Sequence, residues 1–289
     1  MQHSMFRLEM LKEGRSIRLP ILLIFYDSIL AFVTILFIFF NNESMQVGYY
    51  SGQSSFVTQF LIITSIQILA VFVFVPFLIT YLEEADRSVA EQFLMIPGAA
   101  RNLVIAKIHL ILAMNILIFL SSLPIISLSC IYSGISLMKI IRLMGVIVLF
   151  AFWSGSIALF FYSLNRRSLF TFAGTIFAYI MFSIGLILLL EILRSSSISM
   201  SPTGEVSVEV RNLCLILNLF NPLSVYIGYF ENIYGNLPMI TSYFGNFGID
   251  VTNTMFSYLY FKISTVVSIL TAILFLYGAI RFFSNERKG

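Results

Sequence analysis

Apolar residues run along this chain in six long blocks, separated by shorter polar segments. As a helix, at about 1.5 Å per residue, each block is long enough to cross about 30 Å of hydrocarbon. Only helices and closed barrels satisfy the backbone in lipid, and these blocks are too long for barrel strands. The pattern therefore predicts an all-α integral membrane protein, a single transmembrane domain over 1–289, with six spans at about 19–40, 56–82, 103–131, 137–164, 169–193 and 259–283.

A seventh apolar stretch, Leu213–Phe230, lies within the long segment 195–257 and contains Asn221-Pro222. If it crossed the membrane, the basic C-terminus would lie outside, against the positive-inside rule. Proline also interrupts a helix. We therefore expect 195–257 to form an outer loop, with a re-entrant or interfacial element before the last span.

Composition and charge agree with this topology. The chain is 59% hydrophobic and 11% charged, whereas a soluble domain carries about 25% charged residues. An inside N-terminus places 12 of the 17 basic residues on the inner side. The outer side or its margin then holds 5, namely Lys139, Arg142, Arg194, Arg211 and Lys262. Both termini are predicted to be cytoplasmic, and the protein is predicted to lie in the plasma membrane.

The segment 5–19 reads as an amphipathic helix at the inner membrane surface. Phe6 lies on its apolar face, and Lys12, Arg15 and Arg18 gather toward the other side, where they can meet anionic lipid headgroups. The alternative is an ordinary basic flank of the first span.

The loop Glu83–Arg101 is charged at its start and then briefly amphipathic, with Val89, Phe93 and Ile96 at helical spacing. Pro97-Gly98 is a helix-stop signal. The loop therefore predicts a short helix below the membrane. The alternative is a solvated connector that only caps two spans.

This pattern resembles the type-2 ABC exporter permease family. The resemblance rests on Glu83-Glu84-Ala85-Asp86-Arg87, on Glu91-Gln92-Phe93-Leu94-Met95, on Pro97-Gly98-Ala99-Ala100-Arg101, and on Val104-Ile105-Ala106-Lys107. Ser88-Val89 stands where the family usually has Gly-Thr. An N-terminal surface helix, six spans and an outer Asn-Pro before the last span are also family features.

The resemblance implies a mechanism in which two permease subunits pair, as a homodimer or a heterodimer, and each docks on a cytosolic ABC ATPase subunit. The coupling contact would comprise Glu83, Glu84, Arg87, Glu91, Phe93, Leu94, Pro97, Arg101, Arg166 and Arg167. ATP and magnesium would be bound by the partner ATPase, and this chain would bind no cofactor. No phosphate-binding loop occurs in the sequence, so we expect no enzyme activity from this chain alone.

Other chemistry finds little support in the sequence. Asp27 lies inside the first span, and Gln67, Asn115 and Ser154 are scattered polar positions that more often join helices than line a pore. Glu191 and Arg194 are spaced to pair on one helix face. No metal site and no nucleic-acid partner are expected, and a disulfide between Cys130 and Cys214 is a weak possibility.

The scarcity of charge in the spans and the aromatic content of 16% favour export of a hydrophobic or amphipathic cargo, such as a peptide or a drug-like molecule. Two alternatives remain open. One is a non-transporting immunity or sensor protein that binds a peptide at the outer loop. The other is a lipid-modifying membrane enzyme, which would act without an ATPase.

Overall fold

The structure is a computed structural model that describes residues 18–41, 62–79, 99–133, 136–165, 167–200, 207–234 and 254–285. The regular elements in these ranges are all helices. They are α1 (Arg18–Asn41), α2 (Ile62–Ile79), α3 (Ala99–Ser133), α4 (Leu137–Leu164), α5 (Ser168–Ile180), α6 (Leu186–Met200), α7 (Val208–Asn218), α8 (Pro222–Tyr234) and α9 (Thr254–Asn285). The predicted all-α class is confirmed for the described part of the chain.

Five of the described helical stretches are long and apolar enough to cross a membrane. They are Ile62–Ile79, Ala100–Leu128, Met138–Leu164, Leu169–Ser199 and Leu259–Ser284. The first helix, α1, has 24 residues, but its apolar stretch is the shorter Leu23–Leu36. The helices therefore have the length and composition of a multi-pass membrane protein, and the count of six spans stays a prediction.

The fifth predicted span is longer than the sequence pattern indicates. Helix α5 passes through a π-helical segment, Met181–Gly185, into α6, which continues to Met200 instead of ending near Leu193. The extra residues are mostly serines, and Ser195, Ser196 and Ser199 each donate a hydroxyl hydrogen to the carbonyl three residues earlier, at 2.8–3.0 Å. Because each of these hydroxyls is hydrogen-bonded to a carbonyl of its own helix, the polar segment remains helical where we expected the outer loop to begin.

The predicted break at Asn221-Pro222 is confirmed. Helix α7 ends at Asn218 and α8 begins at Pro222, where a missing backbone N–H does no harm because the first helical N–H has no partner within the helix. The Asn221 side-chain oxygen accepts a hydrogen bond from the Leu223 N–H at 3.0 Å, and this caps α8. Two short helices thus occupy part of the predicted outer loop.

The chain divides into two compact units, and the division falls within α4. The first unit comprises Met1–Gly155 and Phe283–Gly289, and the second comprises Ser156–Phe282. In the described part of the first unit, side chains of α1 to α4 form the core, and the Phe72 ring lies edge-on to Phe150 at 5.5 Å. In the second unit, a buried cluster joins α6, α7 and α9 through Leu190, Cys214, Tyr260 and Phe261.

Candidate functional site

Most of the residues predicted to couple to an ATPase lie outside the described ranges. These are Glu83, Glu84, Arg87, Glu91, Phe93, Leu94, Pro97 and Arg166, and the interface residues Phe6, Lys12 and Arg15 lie outside them too. Arg18 is the first residue of α1. Arg101 in α3 and Arg167 before α5 are both exposed, so the described part leaves their role as a prediction.

The turn between α4 and α5 has a defined geometry. The Arg167 N–H donates to the Asn165 side-chain oxygen at 3.2 Å, and the Thr171 N–H donates to the Arg167 carbonyl oxygen at 3.1 Å. Arg167 adopts an extended backbone and serves as the N-cap residue of α5 without a capping side chain. Asn165 and the first turn of α5 thus fix the backbone of the turn, and Arg167 is exposed.

Inside the first unit, polar side chains from three helices meet among apolar neighbours. We name this set the polar cluster: Tyr26 and Asp27 on α1, Gln67 on α2, and Ser121 and Ser122 on α3. The Ser121 hydroxyl donates to the Asp27 carboxylate at 3.2 Å. The Gln67 amide nitrogen donates to the Ser122 hydroxyl oxygen at 2.7 Å. Tyr26 is hydrogen-bonded to both Gln67 and Ser122.

The polar cluster fastens α1 and α2 to α3. In lipid, hydrogen bonds between helices each contribute about 0.6 kcal/mol and at most about 1.7 kcal/mol. The serines are held on their own helix as well, because the Ser121 and Ser122 hydroxyls donate to the carbonyls three residues earlier, at 2.8 and 2.9 Å. The expectation that Gln67 joins helices is confirmed, and Asp27 also makes a polar contact with a neighbouring helix.

A small cavity adjoins the polar cluster. Its walls are Tyr26, Gln67, Ala70, Val71, Asn115, Ile118, Phe119 and Ile147. Asn115 is buried on α3, on the N-terminal side of Ser121, and its amide nitrogen donates to the Ile111 carbonyl at 2.8 Å. Sequence reasoning named Gln67 and Asn115 separately but missed Tyr26, Ser121 and Ser122, since tyrosine and serine are common in apolar helices.

A second set of polar contacts lies in the second unit, where α7 and α8 pack on α9. The Tyr260 hydroxyl donates to the Leu215 carbonyl at 3.1 Å, and the Ser264 hydroxyl contacts the Leu219 carbonyl at 3.4 Å. Ser264 also shares a short hydrogen bond with Ser224 at the start of α8. Side chains of α9 thereby reach carbonyl groups near the end of α7, whose last carbonyls have no partner within the helix.

The charged and thiol groups of the second unit include the predicted ion pair and a free cysteine. Glu191 and Arg194 form the predicted pair, with the Arg194 Nη1 at 3.0 Å and 3.3 Å from the two carboxylate oxygens. Cys214 is a free, buried thiol. Burial raises the pKa of the Cys214 thiol above its ordinary value, and the negative charge of Glu191 raises it further. This thiol is therefore protonated and unreactive at neutral pH.

The described residues contain no group of three or more His, Cys, Asp or Glu side chains that could hold a metal ion. Comparison with known proteins gives no match to a family model, to a curated protein or to a solved structure.

Proposed function

We propose that this chain is the membrane-spanning permease subunit of a type-2 ABC exporter that moves a hydrophobic or amphipathic cargo out of the cell. The observation that carries the proposal is the interrupted pair α7–α8, which precedes the last long helix and is hydrogen-bonded to it. Long apolar helices on either side of this element, and the motif in 83–101, support the same assignment.

The hydrogen bonds from α9 explain how an interrupted helix can lie at membrane depth. Unpaired backbone groups are tolerated there only where protein or a water-filled cavity supplies partners. Tyr260 and Ser264 supply such partners for α7, and Asn221 caps α8. The proposal therefore places α7 and α8 as a re-entrant element that dips into the outer leaflet and returns before α9.

The choice of an apolar cargo is supported by an aromatic cluster in the second unit. Phe160, Phe161, Phe170, Phe182, Phe275 and Phe282 lie edge to face in a chain of contacts, with ring centroids 5.4–6.2 Å apart. None of these rings is fully buried. A partly exposed aromatic surface can pack against variable apolar molecules but offers no partner to a highly charged polymer.

In this proposal, energy comes from a partner. A cytosolic ATPase binds ATP and magnesium, contacts the segment 83–101 together with exposed Arg101 and Arg167, and transmits its closure to the spans as a rigid-body movement. A second permease subunit completes the pathway. Both termini of this chain lie in the cytoplasm, as the distribution of basic residues predicts.

The first experiment is ATP hydrolysis by the chain purified with a candidate ATPase partner. The test variant is Glu91→Arg combined with Phe93→Ala, and the matched control is Glu209→Arg, an equal charge reversal at an exposed position of α7. We expect the test variant to lose assembly or cargo-stimulated hydrolysis and the control to behave as wild type. Failure of any ATPase to associate, or equal behaviour of both variants, contradicts the proposal and directs attention to peptide binding by the outer segment.

Orientation is tested separately with single cysteines placed at Arg167 and Glu209, which are both exposed, in a cysteine-free background. A membrane-impermeant maleimide added to intact cells should label the Glu209→Cys protein only. Labelling of Arg167→Cys from outside would reverse the proposed topology.

A further inference from the structure

The cavity beside the polar cluster is lined by two residues whose buried side-chain oxygens lack partners. Gln67 is 3% exposed and Asn115 is 2% exposed. Among the described residues, neither the Gln67 Oε1 nor the Asn115 Oδ1 has a hydrogen-bond partner. A buried acceptor left unsatisfied is costly, and most such groups in proteins are paired with protein or with an ordered water.

The hydrogen-bond network fixes which amide atom is the oxygen. The Ser122 hydroxyl gives its proton to the Phe119 carbonyl, so it can only accept from Gln67, and the group facing it must be the Gln67 nitrogen. The Asn115 group facing the Ile111 carbonyl must be a nitrogen for the same reason. Both remaining atoms are therefore acceptors, and an occupant must offer hydrogens or positive charge.

The space and the walls define the occupant further. The volume open to a water centre is about 10 Å³, which is about what one water needs. Five of the eight wall residues are apolar, namely Ala70, Val71, Ile118, Phe119 and Ile147. The three polar wall residues are Tyr26, Gln67 and Asn115, which carry no charge. Asp27 is not a wall residue. A metal or alkali cation would have no wall carboxylate to neutralise it, whereas a water can donate to two oxygens and accept from a third group.

We propose that this cavity is a binding site for a single water molecule, which donates one hydrogen to Gln67 Oε1 and the other to Asn115 Oδ1, with Tyr26 in the cavity wall. The water extends the polar cluster by joining α2 to α3, because its two partners come from these two helices. This inference is independent of the proposed cargo and of any ATPase.

Radiolytic footprinting with a short pulse of X-rays tests the proposal on the full chain in lipid nanodiscs. Radicals form from water held near a side chain, so a buried tyrosine is modified only where a water lies beside it. Mixing with H2(18)O shortly before the pulse distinguishes slowly exchanging water from bulk water. Tyr26, which is 8% exposed, is compared with buried Tyr162, at 2%, which does not line the cavity.

We expect Tyr26 to be modified well above Tyr162 and to retain 16O. The variant Asn115→Leu should lower modification of Tyr26 to the level of Tyr162, because the leucine side chain removes one acceptor and fills the space. Where Asn115→Leu does not fold, Gln67→Met gives the same readout at the second acceptor.

Two results would overturn the proposal. One is modification of Tyr26 no greater than that of Tyr162 in the wild-type chain. The other is a saturable rise in melting temperature with NaCl or KCl over choline chloride at equal ionic strength that is lost in Asn115→Leu, since this would assign the cavity to a cation. Equal melting temperatures in the three salts, together with the 16O label on Tyr26, support the water site.

Discussion

Gly228 of α8 packs tightly against Phe261 of α9. A Cβ atom added at Gly228 would overlap the ring of Phe261, with the Cγ, Cδ1 and Cε1 atoms all inside contact distance. The Phe261 ring is 7% exposed and lies edge-on to Tyr260 at 5.6 Å, so it has little room to move. The substitution Gly228→Ala should therefore push α8 away from α9.

The loss of stability expected for Gly228→Ala follows from two opposing effects. Overpacking a buried contact costs about 1–3 kcal/mol, and an overlap with ring atoms on this scale belongs at the upper end. Alanine in place of a helical glycine contributes about 1 kcal/mol in the opposite direction. The net loss is about 2 kcal/mol, which corresponds to a fall in melting temperature of about 4–8 °C.

The assay is thermal unfolding in detergent, followed by the fraction of monodisperse protein that survives heating. Gly145→Ala is the matched control, because it is the same substitution in a long helix and nothing lies within 4 Å of the added Cβ. We expect the control to be at least as stable as wild type. In the Phe261→Leu background the penalty of Gly228→Ala should shrink, because the ring that it meets is gone.

A Gly228→Ala protein as stable as wild type would refute the packing of α8 on α9. A penalty that stays the same in the Phe261→Leu background would show that the loss has another source. Either result also weakens the proposed outer element, because that element depends on contacts between α8 and α9.

Three further predictions concern the polar contacts. Ser122→Ala should lower stability by about 1 kcal/mol by removing a bond between helices, and an unchanged melting temperature would contradict the bond. Asn221→Ala should cost about 1 kcal/mol by removing the cap of α8, whereas Asn221→Ser should recover most of it. Because the pKa of Cys214 is raised, its alkylation should stay slow at pH 8 and accelerate only above the ordinary thiol range. Glu191→Gln should shift that acceleration to lower pH, and an unshifted profile would exclude the charge effect.

The long apolar helices were predictable because burial in lipid imposes a simple requirement. A stretch of about 20 apolar residues satisfies its backbone only as a helix, whatever surrounds it. The break at Asn221-Pro222 was also predictable, since proline lacks the N–H that a continuous helix needs. The Glu191–Arg194 pair followed from spacing along one helix.

Other local features were missed because the sequence contains competing signals. Ser195, Ser196 and Ser199 read as the start of a loop, yet their hydroxyls bond back to the helix and α6 continues to Met200. Serine favours turns in water-exposed chains. In this helix the same side chains find acceptors on the preceding turn. The end of the fifth span that we predicted from composition, near Leu193, is therefore too early.

The sequence by itself determined the class of protein and the approximate place of most helices, because these depend on properties of single segments. Only the tertiary structure decided that Tyr26, Gln67 and Ser122 meet, and that Asn115 shares a cavity with two of them. Those residues come from three helices that are far apart in the chain, and each is an ordinary polar residue within its own helix. Their chemistry arises from packing, which sets how each helix is rotated and shifted against its neighbours, and no pattern within one helix fixes that rotation.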